Sequence, residues 1–225
     1  MNIYVTRHGE TEWNTYWKLQ GRSDTVLNEK GREQASLTHK GFVEAGISFD
    51  RIYSSPLKRA VETAVLMTEK PEAEIIKDDR IIEFCFGKAE GKTPDERNAD
   101  PELKDFHLFF DEPEKFIPGK GCESFESVLT RTAAFWEEEI KPLENSGIEN
   151  ILVVTHGGTM QSLLLHIDGR ELKDYWKTKM SNCTINKIVL KDGKFTLEYT
   201  GKVLYKEDKG KKSSDGFFQN KNRQR

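Results

Sequence analysis

The run Glu149-Asn150-Ile151-Leu152-Val153-Val154-Thr155 constrains the fold of this chain more than any other stretch. Its apolar residues are continuous rather than alternating, the pattern of a strand buried on both faces. Such a strand needs helices on both sides of its sheet. The predicted class is therefore α/β: a three-layer sandwich with a mostly parallel central sheet flanked by helices. His156 closes the run, and Gly157-Gly158 turns the chain into a helix through Leu163 to Leu165. The opening stretch ends in the same way. Ile3 and Val5 alternate with polar neighbours, Tyr4 is a good β-former, and the strand stops at Gly9 directly after Arg7-His8. Open α/β sheets bind ligands at the carboxyl ends of their strands, so these endings point to a site for an anion and a nucleophile.

Between the two endings the chain reads as alternating elements. The aromatic stretch Glu12 to Gly21 forms a loop or short helix over the site. Asn28 caps a helix running to about Glu44, with Gly46 as its stop. Phe49 to Ser54 is the second strand. Ser55-Pro56 starts the next helix, serine as cap and proline at the first position, which puts Arg59 in the first turn beside the strand end. Ile75-Ile76 is a short strand or extended link leading to Ile81-Ile82-Glu83. From Thr93 to Gly121 charged residues, prolines and isolated aromatics replace the core pattern. This segment is predicted as a small helical and loop insertion over the site, starting on the capping box Thr93-Pro94-Asp95-Glu96, with Phe106, His107, Phe109, Phe110 and Phe116 either lining a cap over the site or, equally, forming a local aromatic cluster that packs the insertion onto the body. Ser124 to Lys141 has helical spacing closed by Pro142. Thr184 to Leu190 and Phe195 to Thr200 form a hairpin across Asp192-Gly193.

Composition excludes several classes. Cys85, Cys122 and Cys183 are odd in number and in no paired spacing, which argues against a disulfide framework or a zinc cluster. No apolar run reaches the ~18 residues of a membrane span and no leader is evident, so a cytoplasmic location is expected. The net charge of −3 conceals a basic tail. Lys206 to Arg225 holds seven Lys/Arg against three Asp/Glu and is predicted to be disordered. The body is acidic, so nucleic acid is not an expected partner. Gly87-Lys88-Ala89-Glu90-Gly91-Lys92-Thr93 mimics a phosphate loop, but only three residues separate its glycines.

Thr6-Arg7-His8-Gly9-Glu10-Thr11 resembles the signature of the histidine phosphatase superfamily, the group containing the cofactor-dependent phosphoglycerate mutases and many phosphomonoesterases. The likeness extends over roughly residues 1 to 200 through Asn14, Gln20-Gly21, Ser54 to Ala60, Glu83 with Phe86-Gly87, Glu90-Gly91 and Val154-Thr155-His156-Gly157. It implies one domain over residues 1–205, with the insertion at about 93–121. Mutases of this superfamily usually follow the catalytic glutamate with Arg-His-Tyr-Gly. Here Glu83 is followed by Phe84-Cys85-Phe86-Gly87, which is similar to the phosphatase branch. Two positions depart from that branch, Ala89 before Glu90-Gly91 and Cys85 where an aspartate is common.

The residue types suit phosphoryl transfer. Arg7 and Arg59 offer planar forks for phosphate oxygens, and His156 a third donor. Asn14 contributes an amide, and helical amides after Gly9 or Gly157 are further candidates. Gln20 and Gly21 are weaker candidates for the substrate site. The resemblance implies that His8 is the nucleophile and Glu83 the acid and base, with Glu90 a competitor for that role. The expected activity is a metal-independent and cofactor-independent hydrolysis of a small phosphorylated metabolite through a phosphohistidine, by a monomer or homodimer. A bisphosphate-dependent mutase and a non-catalytic scaffold binding phosphoproteins are the alternatives. Lys88, Lys92, Lys104, Lys115 and Lys120 read as solvated surface rather than as a second anion site.

Overall fold

The computed structural model describes residues 1–178 and 180–204. In chain order the elements are β1 (Asn2–Arg7), α1 (Glu12–Thr15), α2 (Glu29–Glu44), β2 (Arg51–Ser54), α3 (Lys58–Thr68), β3 (Ile76–Lys77), α4 (Pro94–Asn98), α5 (Leu108–Asp111), α6 (Phe125–Ala134), β4 (Asn150–Thr155), α7 (Gly157–Asp168), β5 (Ile185–Lys191) and β6 (Lys194–Lys202). The strands form one sheet in the order β3-β2-β4-β1-β5-β6. The first four strands run parallel, β5 is antiparallel to β1, and β6 closes the edge as the hairpin partner of β5.

Side-chain parity explains the layers. Ile3, Val5, Ile151 and Val153 pack with Phe135, Trp136 and Leu163 on one face. Tyr4, Leu152 and Val154 pack with Phe42, Ala60 and Met67, from α2 and α3, on the other. Successive strand residues point to opposite faces, so β4 is covered on both sides, as its unbroken apolar run requires. The pairing of Arg7 with Thr155, and of Ser54 with Val154, brings the carboxyl ends of β1, β4 and β2 to one level. A ligand crevice at that edge follows.

Several boundaries differ from the sequence reading. The second strand begins at Arg51 rather than Phe49, because the Phe49 ring packs edge-on against Tyr4 and Phe42. The third helix starts at Lys58 after Leu57, two residues later than Ser55-Pro56 indicates; Ser55 Oγ accepts from Leu57 N at 3.4 Å and also lies 2.6 Å from His156 Nε2. Ser124 caps α6 at the start of the predicted helix, but the coil widens to π-type turns over Phe135–Ile140 before Pro142. Asp192 and Gly193, both at positive φ, make the hairpin turn.

The segment 93–121 begins on the predicted capping box, with Thr93 and Glu96 bonding reciprocally. Its rings join a separate cluster in which Phe84, Phe86, Phe106, Phe109, Phe125 and Tyr175 are buried together. His107 is not among the cap residues; it is exposed and its Nδ1 bonds to the Lys104 carbonyl. The predicted basic tail, 206–225, lies outside the described residues. Among the described residues no helix is long and apolar enough to cross a membrane.

Candidate active site

A cavity of about 290 Å³ opens at the strand ends, and Arg7, His8, Arg59 and Glu83 line it. His156 lies behind them, its ring centroid 5.2 Å from that of His8. Each side chain arrives on a different element: Arg7 ends β1, His8 follows it, Arg59 is the second residue of α3, and His156 joins β4 to α7.

His8 is aimed by its surroundings. Its Nδ1 lies 2.7 Å from the Gly9 carbonyl, which can only accept, so Nδ1 carries the proton. Its Nε2 faces Arg59 Nε at 3.3 Å; a guanidinium nitrogen only donates, so Nε2 holds a lone pair. Burial, and then the charges of Arg59 and Arg7, hold the imidazole well below its ordinary pKa of 6.5. The backbone is clamped as well, since His8 N donates to Thr155 O at 3.0 Å and Asn182 Nδ2 donates to His8 O at 2.8 Å. Arg7 donates through NH1 to the Met180 carbonyl at 2.7 Å.

Arg59 is fully buried. Its NH1 donates to Ser23 O at 2.8 Å and its NH2 to Gly21 O at 2.7 Å. Burial pushes its pKa down to about 10, which still leaves it cationic at neutral pH. The loop supplying those carbonyls is itself pinned by Glu90, whose carboxylate accepts from Arg22 N, Ser23 N, Ser23 Oγ and Phe86 N at 2.7–3.1 Å. Gly21 sits at φ +55°, and a Cβ there would fall 2.2 Å from Glu90 Oε1, so only glycine permits the clamp. These bonds give Glu90 a positioning task, and of the two carboxylates it is Glu83 that lines the cavity.

Glu83 is held at the amino end of α7. Its Oε1 accepts from Phe84 N and Thr159 N, each at 3.0 Å, and from Thr159 Oγ1 at 3.2 Å; its Oε2 accepts from Gly158 N at 3.1 Å. Orphan amides at a helix start favour an anion. Here that anion is a side chain, which corrects the expectation that the helical amides following Gly157 serve the phosphate. The amides after β1 are likewise engaged: Gly9 N donates to Thr63 Oγ1 and Glu10 N to Gln34 Oε1, both at 3.0 Å. Gly157 itself lines the cavity.

His156 Nε2 lies 2.6 Å from Ser55 Oγ, and its Nδ1 is buried without a hydrogen-bond partner. Burial first, then Arg59, His8 and Arg7, keep this ring neutral too, its pKa held well below 6.5. Asn14, Gln20 and Gly21 all line the cavity, although Asn14 Oδ1 accepts from Thr11 and Gln20 Oε1 from Thr25 Oγ1. Among the described residues no group of three His, Cys, Asp or Glu side chains is disposed to hold a metal ion.

A model of the histidine phosphatase superfamily (branch 1) matches residues 3–202, nearly the whole described chain. The protein belongs to the histidine phosphatase superfamily. Phosphoserine phosphatase 1 of Hydrogenobacter thermophilus is 34% identical over 193 residues, covering 85% of this chain and 88% of its own. A 2,3-bisphosphoglycerate-dependent phosphoglycerate mutase of Streptococcus thermophilus is 30% identical, covering 74% and 84%. Among solved structures, Bacillus stearothermophilus YhfR superposes with a TM-score of 0.80 at 30% identity, over 90% of this chain and 97% of its own.

In this histidine phosphatase the sequence reading missed one wall. Trp176, Lys177, Thr178, Met180 and Ser181 line the cavity, on a segment that carries neither periodicity nor a recognisable motif. One signal was available: the hairpin that follows pairs β5 against β1, so the residues just before it must pass beside Arg7 and His8. Ser55 was read as a helix cap, and its bond to His156 gives its hydroxyl a second partner. None of the five lysines considered for a second anion site lines the cavity, whereas Lys18 and Lys177 do. Lys88, Lys92 and Lys115 pair with Glu102, Asp100 and Glu112.

Proposed function

We propose that the protein hydrolyses phosphate monoesters of small metabolites in the cytoplasm through a phosphohistidine on His8. The observation that carries this reading is the fixed tautomer of His8, whose Nε2 lone pair faces a cavity containing two guanidinium groups and a carboxylate. In a neutral ring that lone pair is a nucleophile at any pH above the depressed pKa.

Arg7 and Arg59 hold the non-bridging oxygens of the ester. The partnerless Nδ1 of His156 donates a third bond, its tautomer set by the Ser55 hydroxyl donating to Nε2. His8 Nε2 attacks phosphorus while the bond to the leaving oxygen breaks, and Glu83 gives that oxygen a proton. Glu83 then takes a proton from water, whose oxygen attacks phosphorus and breaks the P–N bond, releasing inorganic phosphate and restoring His8. Charge in the transition state is spread over the phosphoryl oxygens, so the fixed donors carry most of the acceleration, each about 10²–10³-fold. No step in this sequence uses a metal or an organic cofactor.

The experiment is phosphate release from a panel of phosphorylated metabolites, with chelator present, by the wild type and by His8→Ala. Release by the wild type alone is expected. Activity that requires added metal, or that survives His8→Ala, contradicts the mechanism. Interconversion of 3- and 2-phosphoglycerate dependent on the bisphosphate would instead favour a mutase. Binding of esters without release would favour a scaffold.

A further inference from the structure

The floor of the cavity can recognise only the phosphoryl group, so the leaving alcohol must be met by the wall. That wall is built of rings: Trp17, Phe86, Phe109, Phe110 and Trp176 line the same cavity. Trp176 is fixed in place, with Nε1 donating to the Phe109 carbonyl at 2.7 Å and its ring 5.3 Å from those of both Phe109 and Phe110. Phe109 in turn packs at 5.1 Å from Phe84, the residue after Glu83. The wall is thus continuous with the segment that carries the carboxylate.

Trp17 adds a second, independent observation. Its φ is +60°, in the left-handed region that a bulky side chain rarely enters. Glycine would occupy that conformation without cost, yet the chain keeps a half-buried indole there at the cavity. Backbone strain of this kind collects at ligand clamps.

The charges on the wall are one-sided. Glu83 is the sole carboxylate among the described lining residues, and both of its oxygens already accept bonds. Lys18 and Lys177 bring positive charge to the lining, and Asp174 pairs with Lys177 at 2.7 Å. An alcohol bearing an ammonium group and no carboxylate, such as ethanolamine, meets Lys18, a Lys177 paired with Asp174, and no uncommitted carboxylate. A flat apolar alcohol buries against the partly exposed rings of Trp17, Phe110 and Trp176, with Phe86 and Phe109 buried behind them, and stacking and area burial act together there.

We infer that the preferred substrate of this site is a phosphate monoester whose leaving alcohol is flat and apolar, an arylmethyl alcohol being the reference case, with no cationic substituent. This rests on the phosphatase reading of the floor and sharpens it on the leaving-group side. An anionic substituent is tolerated, because it faces the lysines.

Benzyl phosphate, ethyl phosphate and phosphoethanolamine all release an alcohol on an sp³ carbon, so their relative kcat/KM reports how the wall receives it. Benzyl phosphate is expected to exceed both others by about tenfold or more, the usual worth of a well-filled apolar subsite. Trp17→Gly, which the local φ accommodates, should drive the benzyl-to-ethyl ratio toward one, and Trp17→Phe should retain most of it. Phosphoethanolamine turned over as well as benzyl phosphate, or a benzyl-to-ethyl ratio indifferent to Trp17→Gly, overturns the inference. The Kd of each ester for the His8→Ala protein, measured by calorimetry, keeps the two readings apart. If the wild type hydrolyses none of the three, the phosphatase reading fails. The order of the three Kd values then still decides whether the wall selects flat apolar groups.

Discussion

At the floor of the cavity His8, Arg59 and Glu83 are aimed by hydrogen bonds to backbone carbonyls and amides, whereas the wall rests on a buried cluster in which Phe84, Phe109, Phe125 and Tyr175 meet one another through ring faces and edges. The first construction is directional, and a shift of one bond re-aims a reacting atom. The second is short-ranged but tolerant of direction, and its energy lies in buried area. One cavity therefore combines a floor specified atom by atom with a wall specified by shape, and the two should fail differently.

The largest expected difference is in stability. Phe109 is fully buried at the centre of the aromatic cluster, so Phe109→Ala should cost about 3–5 kcal/mol in urea unfolding. Inorganic phosphate should still act as a competitive product inhibitor of that variant, because the floor does not depend on the ring. Loss of phosphate inhibition in the folded variant would join the two regions and break the comparison.

A smaller loss of stability with a larger functional signature is expected at the clamp. Glu90→Ala leaves the amides of Arg22, Ser23 and Phe86 without their acceptor, a cost of about 1–3 kcal/mol. The loop carrying the Gly21 and Ser23 carbonyls then loosens, and Arg59 loses its aim. Phosphate affinity should fall in Glu90→Ala and be partly retained in Glu90→Gln, whose amide oxygen can still accept. Equal phosphate affinity in wild type and Glu90→Ala would show that Arg59 is positioned by other means.

The floor was legible in the sequence because Arg7, His8 and His156 each terminate an apolar strand at glycine, and strand ends in a parallel sheet share one edge. Arg59 and Glu83 needed more than local pattern, and the superfamily motifs supplied it. Local rules saw only half of Ser55, because a serine before proline reads as a helix start whether or not a buried imidazole shares its hydroxyl. The same limit hid the clamping task of Glu90, since all its donors but Phe86 N come from Arg22 and Ser23, far from it in the chain. The wall from Trp176 to Ser181 was invisible for a further reason: it has no repeat, and only the pairing of β5 with β1 delivers it to the site. Aromatic residues in 93–121 announced a cluster, but their alternation did not separate Phe109 and Phe110, which line the cavity, from His107, which does not.

The smallest expected effect is on the pH dependence of folding. His8 and His156 are held neutral, well below the ordinary 6.5, by burial and neighbouring charge. Below about pH 6.5 the unfolded chain binds protons that the folded chain refuses. Stability is therefore fully present above that pH and declines as pH falls through it, by about 1.4 kcal/mol per pH unit for each ring. His156→Gln should remove one ring's share of that slope in urea titrations between pH 5 and about 7. An unchanged slope would mean that the folded His156 takes up its proton at the ordinary value, and that the floor is less insulated from water than the wall.

The central claim is that the floor converges on one nucleophilic nitrogen, Nε2 of His8. Glu83→Gln can neither protonate a leaving oxygen nor activate the water of the second step, so with an activated aryl ester such as 4-nitrophenyl phosphate, whose leaving group departs without a proton, it should accumulate phosphorylated enzyme that a quench at high pH preserves. Phosphorus NMR and peptide mass mapping of that protein should locate the phosphoryl group on Nε2 of His8. A label on any other residue, or rapid phosphate release with no covalent label at any quench time, would contradict the account.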